Sequence, residues 1–231
     1  MRTVGTVSEL RAALAPERSA RRSVALVPTM GYFHDGHLSL VRRARSACDV
    51  VVVSLFVNPA QFGEEEDLRA YPRDEARDEA LARAERVDVL FAPAVEEVYP
   101  DGFATTVAVG GLTDVLCGDP ARRGPEHFAG VTTIVTKLFN MVEPDVAFFG
   151  QKDAQQALVI RRLVRDLDIP VRIEVCPTVR DADGLALSSR NAYLSAEERE
   201  RALALSRALR AAEGTVRRGR TGAAEVLAAA R

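Results

Sequence analysis

The feature that most constrains this chain is an alternation of short, continuous apolar runs with longer segments of helical spacing. The runs, rich in Val, Ile and Phe, cover 23–28, 50–57, 87–92, 146–149 and 171–176. Apolarity on successive residues is the mark of strands buried on both faces. The helical segments between them cover 37–48, 74–86, 131–142 and 154–168. This order predicts an α/β fold, a Rossmann-like parallel sheet flanked by helices. The 231 residues suffice for one large domain with a smaller companion. Composition shifts after about Arg190, and from Ser195 the chain turns Ala- and Arg-rich, with Ser195 to Glu198 reading as an N-cap and first turn. A mainly helical C-terminal segment is therefore expected, with a second helix within 214–231.

Charge excludes little by itself. With 33 acidic and 31 basic residues the formal net charge is −2, which gives no electrostatic reason to expect nucleic acid as a partner. No apolar run approaches the roughly 20 residues of a membrane span, and no basic-then-apolar leader opens the chain. Cys48, Cys117 and Cys176 are scattered and odd in number, without a C-x-x-C pair. The expectation is a cytoplasmic protein without membrane attachment. Only two of the basic residues are lysines, Lys137 and Lys152, and there are three histidines, His34, His37 and His127.

In an open parallel sheet, ligands gather outside the carboxyl ends of the strands, and four segments there are specific. The first, Thr29-Met30-Gly31-Tyr32-Phe33-His34-Asp35-Gly36-His37, sets two histidines three apart at a helix start between glycines. It reads as a phosphate cradle in which backbone N–H groups approach the anion and imidazoles donate from the side; the bland alternative is a surface His pair or a metal site. The second, Asn58-Pro59-Ala60-Gln61-Phe62-Gly63, offers neutral hydrogen-bonders on a rigid loop, although Asn-Pro is also an ordinary turn starter. The third, Gly150-Gln151-Lys152-Asp153-Ala154-Gln155-Gln156, supplies a lysine in a chain that uses Arg almost everywhere else for its positive charge; Asp153 reads as a helix cap and Lys137 as a snorkelling helix residue. The fourth, Val179 to Asn191, carries Ser188, Ser189 and Arg190, either a second anion surface or a plain loop.

Five motifs in consistent order, P-T-M-G-Y-F-H-D-G-H at 28–37, F-V-N-P-A-Q-F at 56–62, H-F-A-G-V at 127–131, F-F-G-Q-K-D-x-Q-Q at 148–156 and P-T-V-R-x-A-D-G-L-A-L-S-S-R-N-x-Y-L at 177–194, together resemble the pantoate-β-alanine ligase family of the H-x-G-H nucleotidyltransferase superfamily. The resemblance implies an AMP-forming carbon–nitrogen ligase. Pantoate attacks the α-phosphate of ATP to give pantoyl adenylate and pyrophosphate, and the β-alanine amine then displaces AMP. It implies that His37, as general acid, and His34, Lys152, Ser188, Ser189 and Arg190 serve catalysis. ATP is lined by Met30, Gly31, Tyr32, Phe33, His34, Asp35, Gly36, His37, Gly150, Gln151, Lys152, Asp153, Val179, Leu187, Ser188, Ser189 and Arg190. Gln61 and Gln156 hold pantoate, magnesium accompanies ATP through ligands that the motifs do not identify, and the chain is a homodimer. It further implies an ATP- and pantoate-binding domain over 1–178 and a shortened C-terminal lid over 179–231. The chain departs from the family pattern in carrying Gln151 for Glu, Leu187 for Met, and one extra residue before His127. Two other readings stay open on sequence alone: a related nucleotidyltransferase without an amine step, and a truncated nucleotide-binding form with impaired turnover.

Overall fold

The computed structural model describes residues 1–63 and 68–231, which divide into two compact units, Met1–Pro177 and Thr178–Arg231. The first holds a six-stranded sheet made of β1 (Arg2–Val4), β2 (Val24–Thr29), β3 (Val50–Leu55), β4 (Val89–Phe91), β5 (Val146–Gly150) and β6 (Arg172–Cys176). Their order across the sheet is β1-β4-β3-β2-β5-β6, and every pairing is parallel. The helices are α1 (Val7–Ser19), α2 (Asp35–Ala47), α3 (Glu75–Ala84), the short α4 (Val95–Val98), α5 (Gly124–Val142) and α6 (Ala154–Asp166). The five apolar runs are thus strands. The sequence reading does not foresee β1, whose three residues are too few to show a period, or the seven residues by which α5 begins before 131.

Because successive strand side chains point to opposite faces, the continuous runs feed two cores. Val24, Leu26, Val50, Val52, Ala147 and Phe149 pack under α1, α5 and α6, with Leu10, Leu14, Leu138 and Ile160. Ala25, Val27, Val51, Val53, Val146 and Phe148 pack under α2 and α3, with Leu38, Val41 and Ala82. Both faces of the central strands are therefore dry, which is why polar residues are confined to the strand ends.

One pairing is incomplete, and it opens a crevice in the sheet. β2 and β3 run together from Val24 to Thr29, but the β2–β5 ladder holds only Ala25 against Val146 and Leu26 against Ala147. Pro28, which has no N–H to donate, sits just beyond that point. β5 meanwhile continues with β6 to Gly150. The two strands thus part at their carboxyl ends, and there the connections also reverse direction across the sheet, the crevice where open α/β sheets bind ligands.

The second unit contains an isolated antiparallel bridge between Arg180 and Ala186, a 3-10 turn over Ser189–Tyr193, α7 (Ala196–Arg217) and α8 (Ala223–Ala229). α7 opens with the expected capping box: Ser195 accepts from the Glu198 N–H, and the Glu198 carboxylate accepts from that of Ser195. Arg199 clasps Asp181 and Asp183, both at 2.7 Å, and so ties the start of α7 to the tight turn around Gly184.

Candidate active site

The loop leaving β2 turns sharply, with Gly31 at φ +83° and Tyr32 at φ +52°, and then delivers His34 as the N-cap of α2. His34 Nδ1 accepts from the Gly36 N–H at 3.1 Å, and His37 Nδ1 accepts from the His34 N–H at 3.4 Å. The two imidazoles close a capping box on their own helix and stack with centroids 4.1 Å apart. With both Nδ1 atoms accepting, this network assigns the hydrogen of each neutral ring to Nε2. Burial, followed by the neighbouring His34 and Lys152, pulls the His37 pKa down to about 3. Burial, followed by the positive charge of Lys152, also lowers that of His34. Both rings are thus neutral N–H donors at neutral pH.

Several backbone N–H groups of the expected cradle are engaged inside the loop: Gly31 donates to Thr29 Oγ1, Tyr32 and Phe33 to the Asp78 carboxylate, and Gly36 and His37 to His34. The helix start also presents imidazole Nε2–H to an anion. The left-handed turn aims the Tyr32 and Phe33 N–H groups back at helix α3.

Beyond β5, Gln151–Asp153 form a 3-10 turn that carries Lys152 into the charge environment of both histidines. Lys152 Nζ lies 3.3 Å from Asp153 Oδ1. Asp153 occupies the N-cap position of α6, but its side chain makes no cap hydrogen bond. The expected capping role is therefore not present, and the carboxylate faces the lysine instead. Lys137 is half-buried on α5, and its ammonium lies over the rings of Phe103 at 4.5 Å and Tyr99 at 5.8 Å.

The Asn58-Pro59-Ala60-Gln61 turn is built around Asn58, which is 1% exposed. Its amide nitrogen donates to Gln61 Oε1 and to the Gly130 carbonyl, both at 3.1 Å, and its oxygen accepts from Tyr99 Oη at 2.8 Å and from the Ala60 N–H. Burial pushes the Tyr99 hydroxyl up to about 12, so it stays a donor. Gln61 Nε2 reaches Met30 Sδ at 3.2 Å, and a ring nitrogen of His127, Nδ1, lies 2.7 Å from the Gln61 carbonyl oxygen. Met30 and Gln61 are thus in contact. Gln156, half-buried on the first turn of α6, makes no side-chain hydrogen bond among the described residues, whereas Gln155 bonds the carbonyls of Leu112 and Val115.

Val179, Leu187, Ser188, Ser189 and Arg190 belong to the second unit. There the Leu187 N–H donates to the Val179 carbonyl, Ser188 Oγ accepts from the Arg190 N–H as a turn cap, and Ser189 is buried. Among the described residues no group of three or more His, Cys, Asp or Glu could hold a metal ion, and no helix is long and apolar enough to cross a membrane.

Sequence reasoning assigns no role to Asp78 or Tyr99. A signal for Asp78 exists: it sits one turn before the buried Ala82, on the inward stripe of α3, where a carboxylate needs a reason. Tyr99 carries none, because its partner is 41 residues distant.

Comparison with known proteins identifies relatives of this chain and of its fold. The family model described as Pantoate-beta-alanine ligase matches residues 2–231. A pantothenate synthetase of Acetivibrio thermocellus is 55% identical over 226 residues, 98% of this chain and 79% of its own, and pantothenate synthetase 1 of Bradyrhizobium diazoefficiens is 56% identical over 231 residues, 100% and 81%. The crystal structure of pantothenate synthetase from Thermus thermophilus superposes with a TM-score of 0.93 at 55% identity, covering 100% of this chain and 80% of that one. The Francisella tularensis pantoate-beta-alanine ligase, complexed with beta-gamma ATP and beta-alanine, gives a TM-score of 0.82 at 37% identity over 91% and 79% of the two chains. With a family model spanning nearly every residue and relatives above half identity, the chain belongs to the pantoate-β-alanine ligase family.

Proposed function

We propose that this chain condenses pantoate with β-alanine to pantothenate, consuming ATP and releasing AMP and pyrophosphate, with the crevice between β2 and β5 as the adenylation site. The observation that carries the site reading is the pair of neutral, Nε2–H-bearing imidazoles of His34 and His37 beside Lys152. A pantoate carboxylate oxygen attacks the α-phosphorus of ATP, the bond to the β-phosphate oxygen breaks, and pyrophosphate leaves. Little covalent chemistry falls to the protein in such a step, and charge stabilisation dominates. Lys152 supplies a compact positive charge to the phosphates, and the imidazoles supply directed N–H bonds. A depressed pKa makes His37 a hydrogen-bond donor in the resting site, in place of a preformed imidazolium acid.

Gln61 and Gln156 are read as the pantoate amides. Neutral donors suit a carboxylate that must remain nucleophilic, because a tight guanidinium clamp would lower its reactivity. The half-buried, unpartnered Gln156 amide supports this reading, as does the Gln61–Met30 contact. In the second half-reaction the β-alanine nitrogen attacks the adenylate carbonyl carbon, the carbon–oxygen bond to AMP breaks, and the amine loses its proton.

Met30 to His37 and Gly150 to Asp153 are proposed to line ATP from the first unit. Val179 and Leu187 to Arg190 are proposed as the second unit's nucleotide residues, on the strength of their motif, and that unit as a lid. The described side chains do not form a protein-built magnesium cage. Magnesium is read as the counter-ion of the nucleotide phosphates, and no step above depends on it. A homodimer and a cytoplasmic location complete the proposal, the latter in keeping with three free cysteines.

Pyrophosphate exchange into ATP that requires pantoate, and AMP release on adding β-alanine, test the function. Exchange without AMP release favours a nucleotidyltransferase, and ATP binding without exchange a turnover-impaired form. For the site, K152A and H37Q are each expected to slow exchange by on the order of 100-fold. Wild-type exchange in either variant removes that residue from the reading.

A further inference from the structure

The loop that presents His34 and His37 rests on a buried carboxylate for which the reaction above has no use. Asp78, on α3, is 1% exposed. No Lys, Arg or His forms an ion pair with it among the described residues. Its two oxygens are divided between consecutive backbone donors: Oδ2 accepts from the Tyr32 N–H at 2.6 Å, and Oδ1 from the Phe33 N–H at 2.7 Å.

A carboxylate withdrawn from water is costly unless hydrogen bonds compensate it, and an apolar residue at such a helix position is ordinarily the more stable choice. The compensation here is directed entirely at the loop. Tyr32 stands in the left-handed region, which is strained for a non-glycine residue, and so needs to be held. Asp78 does so from such close range that a methyl group on Gly31 would come within 3.0 Å of its Oδ2. The residue after Tyr32 then anchors the chain: the Phe33 side chain is buried in the same core as Val27, Val53 and Leu90, and its ring lies 5.7 Å, centroid to centroid, from that of His37. His34 follows directly as the cap of α2.

We propose that Asp78 is a positioning residue for the adenylation step: its paired acceptor bonds to Tyr32 and Phe33 fix the loop that sets the orientation of the His34 and His37 imidazoles. The inference rests on the reading of those imidazoles as phosphate donors. A purely structural carboxylate would affect stability alone. A positioning one affects the histidines even where the fold survives.

The test is D78N, which is nearly isosteric but sets an amide NH2 against one of the two N–H donors. Pantoate-dependent ATP–pyrophosphate exchange is expected to fall by on the order of 10- to 100-fold in kcat, the scale on which small misplacements of reacting groups act. In the same protein, without substrate, the His34 and His37 ring nitrogen resonances are expected to move and the His37 pKa to rise towards its ordinary value. L14A, on the far face of the sheet, is the stability control. It should lower the melting temperature while leaving both readouts in place. D78S, which shortens the side chain away from both donors, is the second variant should D78N not fold. Wild-type exchange and unmoved histidine resonances in D78N overturn the proposal, as does a loss no greater than that of L14A, or the failure of both Asp78 variants to fold. The resonances report on Asp78 even if H37Q proves fully active, so failure of the donor reading is distinguishable from failure of this one.

Discussion

A methyl group on Gly130 would lie 2.0 Å from the carbonyl oxygen of Ala60, so α5 sits on the Asn58–Gln61 turn at backbone contact. Alanine is the better helix former by about 1 kcal/mol, yet no rotamer can relieve an overlap between Cβ and main chain. G130A is therefore expected to destabilise by about 1–3 kcal/mol net and to raise KM for pantoate, because Gln61 N lies 2.8 Å from the same point. Urea unfolding and initial-rate kinetics check both.

Acid should weaken the fold through His37. Its folded-state pKa of about 3 lies below the ordinary value of 6.5, so the unfolded chain binds the proton more tightly. The contribution is fully present above pH 6.5 and is lost progressively as pH falls towards 3. The urea midpoint of H37Q should decline less than that of the parent protein between about pH 6.5 and 4. Parallel declines would falsify the assignment.

Asn58 holds four partners from a fully buried position. N58A leaves the Tyr99 hydroxyl and the Gly130 carbonyl without those bonds and should cost about 1–3 kcal/mol. Gln61 is released at the same time, so KM for pantoate should rise more than KM for ATP. Equal changes in the two constants would place the effect elsewhere.

The supporting residues are harder to read from the sequence than the donors. Val50 to Val53 announce a strand buried on both faces because every side chain is apolar, and His34, Gly36 and His37 announce a helix start because few other contexts need them together. Asp78 and Tyr99 act through partners 45 and 41 residues away, and no local periodicity encodes such a distance. The engagement of the Tyr32 and Phe33 N–H groups is hidden for the same reason: their acceptor is on α3, and chain order gives no sign of it.

Lys137 provides a separate check. K137M keeps the apolar stem and removes the charge over Phe103 and Tyr99, so it should lose about 0.5–2 kcal/mol of stability with pyrophosphate exchange unchanged. Thermal melting beside the exchange assay separates the two.

The short β2–β5 ladder has a consequence for when activity can arise. Ala25 and Val146 lie about half the chain apart, and contacts across so long a loop are slow to close. The histidines of α2 can cap their helix early, but Lys152 joins them only once that closure is made. On a ribosome the proposed adenylation site therefore cannot exist until β5 and the turn after it have emerged, and a chain halted before then would hold an ordered helix start without Lys152 beside it.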